Sequence, residues 1–138
     1  MWVQRAALVV VAIIGVGIIG IGLGFLLNPG ALGAGFGVPV PAGDNPFLAV
    51  KGVRDIGSGL VLLAVLALRR PRVVGWVTLA ASTIPTGDAL IVLAYGGPAS
   101  AAYGVHGATA VVTIAAALAL ISGRAGRPAV RGSAAPAH

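Results

Sequence analysis

The sequence has no cysteine among its 138 residues. Disulfides, thiolate metal sites and thiol nucleophiles are therefore excluded together. Acids are almost as scarce, three aspartates against nine lysines and arginines. The bases outside the apolar stretches cluster at Arg69, Arg70 and Arg72 and at Arg124, Arg127 and Arg131, with no interleaved aromatics. That pattern fits anchors flanking a membrane and argues against nucleic-acid binding.

What fills the chain is apolar: 58% of residues, with a mean hydropathy of +1.03. Four stretches are long enough to cross a bilayer core of about 30 Å. The expected fold is all-α, an integral membrane bundle of four transmembrane helices at about 2–27, 46–69, 73–95 and 98–121. Residues 1–121 form the expected domain, and 122–138, rich in Gly, Ala, Pro and Arg, read as a disordered basic tail. The first stretch exceeds the apolar core of a signal peptide and is expected to be retained. Asn28-Pro29-Gly30 stops it, and residues 31–45 read as a Gly/Pro-rich connection without lysine or arginine. Asp44-Asn45-Pro46 is a helix-start signature, and Gly96-Gly97-Pro98 a tight turn. The arginine-bearing connections place both termini on the cytoplasmic side of the cell (inner) membrane.

Against this background stands Lys51-Gly52-Val53-Arg54-Asp55, three charges in five residues of the second stretch. Each such group at the bilayer centre costs about 2.5–3.5 kcal/mol on insertion scales, so partners are needed. At a helical rise of 1.5 Å, Lys51 lies about 8 Å and Asp55 about 14 Å below the outer edge, with Asp88 at about 11 Å and His106 at about 12 Å. Three helices thus bring their ionisable groups to one layer of the outer half. Lys51, Arg54, Asp55 and Ser58 share a helical stripe, and Tyr103, His106, Gly107, Ala110 and Thr113 make another. Asp88 lies one turn beyond Pro85, with Thr86 close by and Tyr95 two turns on. Pro85 frees the carbonyl of Ala81, which Ser82, Thr83 or water would satisfy. Formal charge balances, Lys51 and Arg54 against Asp55 and Asp88, which leaves His106 to titrate near neutral pH. Such a set reads either as a functional pocket or as ion pairs that fix helix register.

Other signals are weaker. Gly15 to Gly20 matches the dinucleotide-binding G-x-G-x-x-G, but no strand precedes it. Gly20 and Gly24 form a G-x-x-x-G pair consistent with packing inside the bundle or with a homodimer. One membrane histidine, no cysteine and two adjacent cations argue against a metal at Asp55, Asp88 and His106. Ser58 reads as a packing residue, and Trp2 and Trp76 as interface anchors.

Asn28-Pro29 after a glycine-rich helix, Lys51-Gly52-Val53-Arg54-Asp55, Pro85 with Gly87-Asp88, and His106-Gly107 occur in that order. In these motifs the chain resembles the small membrane proteins grouped as domain of unknown function 4267, over nearly all but the tail. That family is similar in layout to DoxX-like four-helix proteins. The resemblance implies an architecture and a residue set, with no settled activity.

Two functional readings remain. In the first, a cofactor-independent enzyme of isomerase, cyclase or lyase type acts on a lipophilic small molecule drawn from membrane lipid. Asp88 and His106 serve as base and acid, and Asp55 orients a cation. Lys51 and Arg54 hold an oxygen or carboxylate, with Tyr103, Tyr95 and Thr86 as further ligand contacts. In the second, the cluster binds a ligand or partner without chemistry. Residues 31–45, with Phe36 and Val38, are placed to act as a lid.

Overall fold

The computed structural model describes residues 2–39 and 46–123. The expected basic tail beyond Gly123 and the Asp44-Asn45 start signal lie outside them. Every regular element among the described residues is helical: α1 (Trp2–Leu27), α2 (Pro29–Phe36), α3 (Pro46–Ala67), α4 (Pro71–Ala81), α5 (Thr83–Ala94), a π-helical segment π1 (Ser100–Gly107) and α6 (Ala108–Ser122). Three rods are long and apolar enough to cross a membrane: α1, the α4–α5 pair and the π1–α6 pair. α3 matches them in length, at 22 residues, but carries Lys51, Arg54 and Asp55. α1 packs along α3, α4 along α6 and α5 along π1, while contacts between α1 and α6 join the two halves.

Paired glycines set how closely α1 and α3 approach. A methyl on Gly22 would lie 2.5 Å from the Gly52 carbonyl oxygen, and one on Gly52 2.7 Å from that of Gly22. Gly15 and Gly59 make the same mutual contact seven residues away on each helix. Spacing of seven keeps both glycines on one face, and bare backbone lets the helices touch. The Gly20 of the G-x-x-x-G pair faces open space, and Gly24 receives the side chain of Leu32.

The connection after α1 is helical where a loop was expected. Asn28 ends α1 and also caps α2: its Oδ1 accepts from the Ala31 N–H at 3.3 Å, and Pro29 occupies the first turn. Gly37 closes α2 at φ 97°, a left-handed conformation suited to glycine. Val38 then packs against Val92, Ala101 and Ala102, which seats the end of α2 over α5 and π1.

Pro85 divides the third rod at Ser82. The Ser82 hydroxyl donates to the Leu79 carbonyl at 2.6 Å, that of Thr83 to Ala80 at 2.8 Å, and that of Thr86 to Ser82 at 2.8 Å. The hydroxyls therefore serve carbonyls on both sides of Ala81, the one expected to be freed. At the opposite end of the bundle from α2, Ala7, Val11, Leu62, Val74, Ala116 and Leu120 form the main core. Beside them Thr78 is fully buried, and its hydroxyl has no partner among the described residues. An orphaned buried hydroxyl costs about 1–3 kcal/mol, so Thr78→Val should leave thermal stability in detergent unchanged or raised. A marked fall in the unfolding temperature would show that the hydroxyl has a partner after all.

Candidate ligand site between α1, α3, α5 and π1

A cavity of about 290 Å³ lies between the helices. Ile14, Ile18, Ile21 and Leu62 give it apolar walls, and Lys51, Asp55, Asp88 and His106 converge at one end. Each polar group is placed by a local feature. Lys51 and Asp55 are four residues apart on α3, so they share a face, and the neighbouring Gly52 presses that turn against α1. Asp88 stands one turn beyond Pro85, on the inward side of α5. His106 comes from π1 and is 8% exposed.

Lys51 is held by several groups. Its Nζ donates to both oxygens of Asp55, at 3.0 and 3.2 Å, and lies 4.0 Å from Asp88 Oδ2. The same nitrogen lies 4.7 Å from the ring centroid of Phe36 and 5.2 Å from that of Phe25. Two carboxylates and two aromatic faces thus line one partly exposed ammonium. Phe36 also stacks edge-on against His106, with centroids 4.6 Å apart.

The imidazole is anchored through one ring nitrogen. His106 Nε2 lies 2.9 Å from the Phe36 carbonyl oxygen. A carbonyl only accepts, so Nε2 carries hydrogen and donates. That leaves Nδ1 to exchange a proton, and Nδ1 faces Asp88 Oδ2 at 3.9 Å. An acid–base pair from two different helices therefore sits beside a fixed cation.

The structure brings together Lys51, Asp55, Asp88 and His106 and sets the other expected ligand residues apart. Arg54 is exposed and has no carboxylate within 4 Å among the described residues, so it does not complete the expected charge balance. It lines a second recess of about 270 Å³ together with Phe47, Val50 and Ile84. Tyr95, at the end of α5, is 74% exposed. Thr86 is exposed and spends its hydroxyl on the Ser82 carbonyl. Tyr103 is 65% exposed although His106, three residues on, is buried. In a π-helix each residue turns less about the axis than in an α-helix, so residues three apart no longer share a face. None of these three lines the cavity. Phe25 and Phe36 are the site residues that sequence reasoning missed as cation contacts. For Phe36 the signal lay in the Asn28-Pro29 cap and in Gly37, which together make residues 29–36 a helix, whereas Phe25 sits within α1.

A helical chain with three rods fit to cross a bilayer, apolar outer faces and an internal charged cavity is by class a small membrane protein. The chain belongs to the family described as domain of unknown function 4267, whose model matches residues 15–120 and so covers all four charged residues of the cavity. No curated protein and no solved structure matches it.

Proposed function

We propose that the protein is a four-span membrane enzyme that moves a proton within a lipophilic small molecule, by isomerisation, cyclisation or elimination. The observation that carries this reading is the Asp88–His106 pair, 3.9 Å apart at the charged end of an apolar cavity. A few convergent polar groups in a mostly apolar cavity are the usual form of a small-molecule site.

α3 serves as the fourth span. Its outward residues Val50, Val53, Leu60 and Val61 are exposed hydrophobics suited to lipid, while Lys51 and Asp55 turn inward. Intramembrane charges face a bundle interior or a cavity in this way. Both termini then lie on the cytoplasmic side of the cell membrane, in keeping with the arginine-bearing connections.

For an isomerisation the steps balance without an external redox partner. The Asp88 carboxylate takes a proton from a carbon next to a substrate carbonyl, and the electron pair moves onto the carbonyl oxygen. Lys51 holds that oxyanion. An ammonium has three N–H donors and Asp55 engages two, so one remains for the substrate. The His106 imidazolium delivers a proton to a second carbon, and Asp88 then returns its proton to Nδ1.

The test compares the lipids of membranes holding wild-type protein, Asp88→Asn or His106→Gln, with correct folding checked by gel filtration and circular dichroism. Wild type should alter at least one lipophilic species, and each variant should slow that change by about 10²–10⁴-fold. If the variants fold and the lipid profiles of all three are identical, the cavity is a binding site and the enzyme reading fails.

A further inference from the structure

We infer that the ligand is an amphiphile with an oxyanion head, a carboxylate or phosphate, that enters sideways between α3 and α5 and docks its head on Arg54. This rests on the cavity being a ligand site and adds the chemical class of the ligand.

Three observations converge. The recess beside Arg54 and the internal cavity share Lys51, Asp55, Ser58, Ile84 and Asp88 on their walls, so the two spaces adjoin through the charge cluster. A molecule that parts the 4.0 Å contact between Lys51 and Asp88 would span both. Next, the cations differ in state. Lys51 is neutralised by Asp55 and faces Asp88, whereas Arg54 has no carboxylate within 4 Å among the described residues. Lastly, the two spaces differ in character. Ile14, Ile18 and Leu62 wall the far end of the cavity, and Arg54 stands at the recess.

A guanidinium on an apolar-faced helix is stabilised by an oxyanion with two oxygens that it can grip through two N–H groups. An apolar chain running inward from that head would reach Ile14 and Ile18. Because Asp55 and Asp88 wall the same recess as Arg54, the atoms nearest the head would lie beside those two carboxylates. The reacting carbon is then only a few bonds from the oxyanion, and the distal chain plays a purely apolar role.

The experiment measures binding of three radiolabelled probes, hexadecanoic acid, hexadecyl phosphate and hexadecanol, to the full-length protein in neutral detergent. Wild type, Arg54→Gln, Arg54→Lys and Asp88→Asn are compared. Wild type should bind at least one oxyanion about 10-fold more tightly than the alcohol, the effect of one charge-assisted hydrogen bond. Preference for the acid alone assigns a carboxylate head, and preference for the phosphate alone a phosphate head. Arg54→Gln should remove the preference and Arg54→Lys should keep part of it. Equal binding of all three probes by wild type, or a preference that survives Arg54→Gln, overturns the inference. Asp88→Asn removes a negative charge from the recess wall and should strengthen the preference while it abolishes lipid conversion, which separates this outcome from that of the catalytic proposal. Asp88-dependent lipid conversion without oxyanion preference would sink the inference and leave the enzyme reading standing.

Discussion

Gly52→Ala is expected to lower stability by about 1–3 kcal/mol, near the upper end, because the added methyl meets backbone. It would lie 2.7 Å from the Gly22 carbonyl oxygen, and no side-chain rotamer can relieve that contact. The helices must separate, and the nearest groups to follow are Lys51 and Phe25. Gly22→Ala should behave alike, since its methyl would lie 2.5 Å from the Gly52 carbonyl. Combining the two should fall short of additivity, because the first substitution already opens the shared contact. Gly17→Ala and Gly20→Ala are the controls. Both face open space on α1 and should leave stability unchanged or raise it by up to about 1 kcal/mol, the helix preference of alanine over glycine. Thermal unfolding in mild detergent measures all five variants. If Gly52→Ala matches the controls, the close approach of α1 to α3 is wrong.

The second large effect is at Lys51. Lys51→Met keeps the length and apolar stem of the side chain but leaves Asp55 and Asp88 without their shared cation. Removing one partner of a buried pair costs about 3–5 kcal/mol, and the lower end applies because the Lys51 side chain is 25% exposed. The loss belongs to the abandoned carboxylates, so Lys51→Met with Asp55→Asn should recover more than half of it. Asp88 then still faces His106. A Lys51→Met protein as stable as wild type would mean that water, not the lysine, solvates the two aspartates.

Much of the fold was legible because long apolar runs and proline or glycine stops act locally. Trp2–Leu27 and the break near Pro85 follow from such signals. α2 escaped because Asn28-Pro29-Gly30 reads as a stop. The same asparagine–proline pair, read as a start at Asn45-Pro46, also starts a helix at residue 29. For the site, depth along the helices was enough to gather Lys51, Asp55, Asp88 and His106. Face was a coarser guide. On a 100° helical step Arg54 lies about 60° from Lys51 and on the opposite side from Asp55, so one polar stripe contains both an inward and an edge position. Tyr103 was placed beside His106 by assuming an α-helical repeat, and π1 breaks that repeat. The glycines that matter, 15 with 59 and 22 with 52, pair between two helices. A search for G-x-x-x-G within one helix points instead to Gly20, which touches nothing.

The proposed activity requires Asp88 and His106 to exchange protons with a carbon of the ligand. Its most direct test is to reconstitute the full chain with membrane lipid extract in D2O and follow the lipids by high-resolution mass spectrometry. Wild type should add deuterium to a specific lipophilic species over time, and Asp88→Asn, folded and inserted, should add none above background. A folded wild-type protein that retains bound lipid yet neither adds deuterium nor converts any lipid species would contradict that activity, and the charged cavity would then be a binding site alone.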